Sequence, residues 1–168
     1  MKEFKINKND SGQRVDKFIP KTVPKLPKSL LYKYIRLKRI KVNKKRCEIS
    51  QVLAENDMVE MYINDEFFEI KKNTEFLTIN SSLNIIYEDE NILIVNKPAG
   101  TDVHRGSQNN KETLIDIIKS YLYQKNEYNP DEENSFSPAI CNRLDRNTTG
   151  LVIAAKNAQS LRQTDRIL

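Results

Sequence analysis

Two kinds of hydrophobic spacing alternate along the chain. Val15, Phe18 and Ile19 recur at i, i+3 and i+4, with Arg14, Lys17 and Lys21 elsewhere on the turn, which predicts a first helix. Asp10 or Ser11 stands where a cap belongs, and Pro20, lacking a backbone donor, predicts the helix end. Pro24 and Pro27 punctuate the connection. Over 29–39, Leu30, Leu31, Tyr34, Ile35 and Leu37 fill one side of a second helix, and Lys28, Lys33, Arg36 and Arg39 fill most of the other. Short apolar runs at 3–6, 40–42, 46–49 and 58–63 predict strands, with Asn43-Lys44-Lys45 as a hairpin turn and Asn56-Asp57 introducing the last strand.

The pattern then breaks. Residues 64–82 are acidic and polar without a strong period, which predicts an extended connection in which Phe67, Phe68 and Phe76 can act as anchors. Apolar runs at 83–87 and 92–95 flank Glu88-Asp89-Glu90-Asn91 as a hairpin with an acidic turn. Leu114, Ile117, Ile118, Tyr121 and Leu122 predict a helix over 113–125, and 126–138, with Asn129-Pro130 and an acidic run, predicts a long exposed loop. In 141–156 the chain places Asp145 between Arg143 and Arg146, then a polar turn ending at Gly150, then an apolar run, the pattern of a loop feeding a buried strand. Local chemistry alone fits a functional carboxylate on a rigid support, and it fits a solvated ion pair as well. Residues 158–168 begin a further helix.

Composition narrows the class. At 168 residues and 19.6 kDa the chain holds one ordinary domain or two small ones. No apolar run approaches the roughly 20 residues that span a bilayer, and the N-terminus has no apolar signal core, so a cytoplasmic protein with no membrane partner is expected. Cys47 and Cys141 form no C-x-x-C pair, and Cys141 reads as a small buried thiol rather than a nucleophile. His104 is the only histidine, which argues against a metal site.

The net charge of +5 hides an asymmetry. Residues 14–46 hold 13 Lys or Arg against one acidic residue, Asp16, whereas acidic residues dominate 47–91. So concentrated a positive charge points to a polyanion, and folded RNA read through shape and phosphates fits better than base readout. The expected phosphate contacts are Arg14, Lys17, Lys28, Lys33, Arg36, Arg39, Lys41 and Lys44. Further along, Lys97 at a strand end is expected to approach RNA phosphate or the Asp145 loop, and His104, with the phosphate-binding Arg105 beside it, to serve in loop packing or a backbone phosphate contact.

Motifs in order sharpen this. Arg14-Val15-Asp16, the basic second helix, Ile40-Lys41-Val42-Asn43 and Asp57 before Val59 resemble an S4 RNA-binding domain. Asn96-Lys97-Pro98-Ala99-Gly100 with Val103-His104, and then Asn142-Arg143-Leu144-Asp145 with Thr148-Thr149-Gly150-Leu151 and Ala155-Lys156, resemble the RluA/RluC/RluD-type pseudouridine synthases. Asn142 stands where that family usually has His, and Thr149 where it usually has Ser. The resemblance implies an α+β fold: an S4-like domain at 1–63, a connection at 64–82, and at 83–168 the N-terminal part of a mixed-sheet catalytic domain whose later strands, tyrosine and basic residue lie beyond this sequence. It implies cofactor-free isomerisation of uridine to pseudouridine, with Asp145 as the catalytic carboxylate and Arg143 holding the opened nucleotide; the opposite charges of Arg143 and Asp145, two residues apart, also predict that they pair. Large-subunit ribosomal RNA is the expected substrate ahead of transfer RNA, and a monomer is expected. The alternative is a non-catalytic S4-type RNA-binding protein or a remnant of such a synthase. A glycosidase or aspartic protease needs a second carboxylate, and no motif marks one near Asp145.

Overall fold

A computed structural model describes residues 1–80, 82–106 and 112–168; Ser81, within the expected connection, lies outside the described residues. The chain divides into two compact units, Met1–Lys72 with Asp131–Phe136, and Asn73–Pro130 with Ser137–Leu168.

In the first unit, strands β1 (Lys2–Lys5), β2 (Ile40–Val42), β3 (Lys45–Arg46) and β4 (Met58–Met61) form an antiparallel sheet in the order β1-β4-β2-β3. Helices α1 (Val15–Thr22) and α2 (Lys28–Arg36) add Phe18, Ile19, Leu31 and Ile35 to a core shared with Phe4, Ile40, Val42, Val59 and Met61. The Asn43-Lys44 turn has positive φ at both residues, 51° and 64°, as a two-residue hairpin turn of matching twist requires.

Three local expectations change. Pro20 lies inside α1 rather than ending it, because the bonds around it survive: Val23 N–H donates to the Ile19 carbonyl at 2.7 Å and Thr22 Oγ1 to that of Phe18 at 3.1 Å. Neither Asp10 nor Ser11 caps α1, whose N-cap position is Arg14 with no side-chain capping bond; Ser11 Oγ instead donates to the Lys8 carbonyl. Leu37 follows α2 and is 54% exposed, because the chain turns outward there and Lys38 takes φ 60°.

Asp10 is fully buried and organises a different contact. Its carboxylate accepts from Asn7 N–H, from Asn134 Nδ2 at 2.8 Å, and from Ser135 N–H and Oγ at 3.2 and 2.5 Å. Part of the loop expected to be solvated, Asp131–Phe136, is thereby built into the first unit. A carboxylate is acceptor-only when ionised, and four donors satisfy it.

The stretch 64–82 contains two 3-10 turns, Asp65–Phe68 and Glu75–Thr78, rather than plain extended chain. Phe67 and Phe68 pack on the first unit's core; Phe76 is buried in the second, its ring 5.9 Å from that of Tyr128.

The second unit contains β5 (Ile85–Glu88), β6 (Ile92–Lys97), α3 (Leu114–Gln124), β7 (Ala139–Ile140), β8 (Gly150–Ala155) and α4 (Ala158–Ile167). Its sheet, ordered β5-β6-β8-β7, is antiparallel throughout the described residues, where a mixed sheet was expected. Alternation along β6 and β8 turns Leu93, Val95, Val152 and Ala154 towards Leu114, Ile118 and Leu122 of α3.

An ion-pair network braces the end of this sheet away from Asp145. Glu88 accepts from Lys125 Nζ at 2.8 Å, Lys156 Nζ at 3.1 Å and the Tyr121 hydroxyl at 2.6 Å, and Lys156 also pairs with Glu127 at 2.7 Å. Burial pushes the Glu88 carboxyl up, but the bonds from Lys125, Tyr121 and Lys156 outweigh it and bring its pKa down from 4.5 to about 2. A depressed carboxyl contributes stability that is present above 4.5 and is lost as pH falls from there towards 2. Glu88→Gln is therefore expected to cost about 2 kcal/mol at neutral pH and to flatten the acid limb. Denaturant melts across that window check it; parallel wild-type and variant curves would contradict the account.

Candidate active site

The two motif loops leave the sheet at the same end. In the β6–β8 ladder Lys97 pairs with Gly150 and Asn96 with Leu151, so the turn after β6 and the loop before β8 are adjacent by register. Gly150 has φ +152° and a Cβ there would meet Leu144 Cδ1 at 3.2 Å, so glycine lets the loop close onto the strand.

Lys97 joins these loops from within. It follows Leu93 and Val95 on the inward face of β6 and is fully buried. Its ammonium donates to the carbonyls of Pro98 at 3.0 Å, Thr101 at 3.0 Å and Arg146 at 2.9 Å, which uses its three protons. Gly100, at φ +88°, adds an N–H bond to the same Arg146 carbonyl at 2.8 Å. Of the two expectations for Lys97, contact with RNA phosphate is corrected and approach to the Asp145 loop is what the structure has: the ammonium is inside the protein and committed to the backbone beside Asp145.

Asn142 fixes the other side. Its amide donates to the Leu151 carbonyl at 3.0 Å and accepts from Ile153 N–H at 2.7 Å, while Cys141 N–H donates to the Ile153 carbonyl at 2.8 Å. An amide carries both donor and acceptor and continues the ladder as a peptide would. The residue that departs from the family pattern thus has a structural role. Cys141 is half-buried, and burial raises its thiol pKa, which keeps it from acting as a thiolate.

Between these anchors Arg143, Asp145 and Arg146 are all exposed, and Thr148 N–H closes a turn onto the Asp145 carbonyl at 3.0 Å. Among the described residues Arg143 forms no ion pair with Asp145, contrary to expectation, because both side chains extend to solvent. A cleft of about 690 Å³ beside the loops is lined by Lys97, Pro98, Thr101 and Thr149, with Asp145 outside it.

The expected basic contacts sort themselves. Lys17, Lys28, Lys33, Arg36, Arg39 and Lys44 are exposed on the first unit, with Lys28 over the Tyr32 ring, Arg39 over Tyr34 and the half-buried Lys41 over Tyr62. Arg14 is held by Asp16 in a two-point pair, 3.0 Å at each bond. Arg105, in the second unit, has its guanidinium 2.6 Å from Glu75 and 3.5 Å from Asp116, whose charges it answers. Among the described residues no cluster of three potential metal ligands occurs, and no helix is long and apolar enough to cross a membrane.

Residues 91–167 match the family model described as RNA pseudouridylate synthase. The chain is 45% identical over 158 residues to an uncharacterized RNA pseudouridine synthase of Mycoplasma capricolum subsp. capricolum, covering 94% of this chain and 51% of that protein. It is 31% identical over 165 residues to the ribosomal large subunit pseudouridine synthase C of Vibrio parahaemolyticus, covering 94% and 48%. It is 36% identical over 163 residues to the protein of that name from Buchnera aphidicola subsp. Baizongia pistaciae, covering 94% and 47%. The chain spans about half the length of these curated relatives.

Proposed function

Since the relatives of this chain are RNA pseudouridine synthases, we propose that it is part of an enzyme that isomerises uridine to pseudouridine in structured RNA of the cytoplasm, with large-subunit ribosomal RNA as substrate. Asp145 is the reacting carboxylate. The observation that carries the reading is its placement, exposed on a turn that Lys97, Gly100 and Asn142 fasten to paired strands. A nucleophile needs access together with fixed geometry.

The isomerisation breaks the bond between ribose C1′ and uracil N1, turns the base, and joins C1′ to C5, whose proton is released to solvent as N1 gains one. The carboxylate assists at the sugar, by attack at C1′ or through a glycal, and leaves afterwards, so no cofactor is consumed. The base must first leave its stack, at about a few kcal/mol. Arg143, exposed and two residues from Asp145, is suited to hold the opened nucleotide. The first unit serves as an S4-like RNA-binding module, with Lys17, Lys28, Lys33, Arg36, Arg39, Lys41 and Lys44 supplying phosphate contacts for a monomeric enzyme.

The test is tritium release from RNA labelled at uracil C5, using the protein at the length its own cells make. Release from large-subunit ribosomal RNA and not from transfer RNA is the expected result. Release from transfer RNA alone would overturn the substrate assignment. RNA binding without release from either RNA would make the chain a non-catalytic RNA-binding protein.

A further inference from the structure

We propose that His104, Lys119 and Arg143 form a phosphate-binding site in the second unit that takes a backbone phosphate of the RNA beside Asp145. The proposal rests on the synthase reading above only for the identity of the RNA.

The backbone brings the three cations together. Leu114 N–H donates to the Asp102 carbonyl at 2.8 Å and Ile115 N–H to that of Val103 at 3.2 Å, so the segment carrying His104 is laid on the first turn of α3. Lys119 lies one turn beyond Ile115 on the same helix face. Arg143 arrives from the loop before β8, which the 2.8 Å bond from Gly100 N–H to the Arg146 carbonyl holds beside the chain leading to His104.

The nearby acids are already answered. Asp116 accepts from Thr113 Oγ1 at 2.8 Å and lies 3.5 Å from Arg105, and Glu75 is paired with Arg105. Lys119 is half-buried and, among the described residues, neither it, His104 nor Arg143 makes a hydrogen bond or ion pair through its side chain. Partial burial lowers the pKa of His104, the charges of Arg143 and Lys119 lower it further, and Asp116 opposes them. Burial likewise lowers that of Lys119, against the pull of Asp116. Cations gathered where they repel one another, with His104 and Arg143 open to solvent, are a site for an anion. The spacing from Arg143 to Asp145 places such an anion next to the reacting carboxylate, where a phosphate flanking the target nucleotide would lie.

His104 is the only histidine, so its ring protons are a unique NMR reporter. The midpoint of its titration is measured in chloride, then at matched ionic strength with inorganic phosphate, uridine 5′-monophosphate, uridine, or a short uridine-containing single-stranded RNA. Both phosphate compounds are expected to raise the midpoint by about one unit, uridine to leave it unchanged, and the RNA to act at lower concentration than inorganic phosphate. Lys119→Gln, which keeps a good helix former, is expected to raise the unliganded midpoint and to halve or abolish the phosphate-induced shift. A midpoint indifferent to phosphate, an equal shift with uridine, or an undiminished shift in Lys119→Gln overturns the site. Tighter action by inorganic phosphate than by RNA overturns the assignment to RNA backbone. A null NMR result alongside positive tritium release removes this site and keeps the synthase; the reverse pair keeps an anion site on a non-catalytic protein.

Discussion

Asp145→Ala is expected to lower turnover by about four orders of magnitude or more while leaving RNA affinity within about twofold, because affinity is proposed to come from phosphate contacts made by other residues. Asp145 is exposed, and its side chain contributes no bond to the fold among the described residues; only its carbonyl, which the variant keeps, closes the turn to Thr148. Stability should therefore move by less than about 0.5 kcal/mol, and a dead variant cannot be explained as an unfolded one. Asp145→Glu sharpens the test. It retains the charge but shifts the carboxylate by about 1 Å, and a displacement of that size costs on the order of a hundredfold where the reacting atoms must be aligned. If the carboxylate served only to tune the local field, Glu would rescue most activity. Single-turnover tritium release with filter binding on the same preparations reads both quantities. Turnover retained in Asp145→Ala would end the assignment of the reacting group.

The elements were largely legible in the sequence because their hydrophobic periods are clean. The i, i+3, i+4 spacing of Leu114, Ile117, Ile118 and Leu122 marks α3 closely, and the alternation of Leu93 and Val95 marks the inward face of β6. Composition misled where long-range contacts decided the outcome. The acidic segment around Glu133 reads as solvated loop, yet Asp131–Phe136 is drawn into the first unit by Asp10, more than 120 residues away. Pro20 reads as a helix end, but tertiary burial of Val15, Phe18 and Ile19 carries α1 through it. At the candidate site, Asp145 and Arg143 were visible as a motif; Lys119 was not, because one lysine on an amphipathic helix carries no signal until the segment bearing His104 is laid beside it. The inward turn of Lys97 was half visible, since period 2 from Leu93 and Val95 points it at the core and only its charge argued for solvent.

That inward lysine carries the other large expected effect. Lys97→Met keeps the length and apolar stem of the side chain but removes all three donors, leaving the carbonyls of Pro98 and Thr101 without that partner and Arg146 with Gly100 alone. The three bonds are part-buried, so each carbonyl can partly recover its loss from water and costs about 1 kcal/mol; a total of about 3 kcal/mol is expected. The loss falls where the chemistry is proposed to occur, because the Arg146 carbonyl is one residue from Asp145. Two consequences separate positioning from bulk destabilisation. Measured well below the melting transition, kcat should fall by about a hundredfold, with RNA affinity unchanged since Lys97 is buried and its ammonium is committed to backbone carbonyls. Hydrogen exchange at Gly100 should accelerate far more than exchange in the β1–β4 ladder of the first unit, as the bond to Arg146 becomes free to open locally. A variant that is less stable yet turns over normally when folded would make Lys97 a fold element only. One that binds RNA more weakly, with stability and exchange unaltered, would instead mean that its ammonium reaches solvent and phosphate after all.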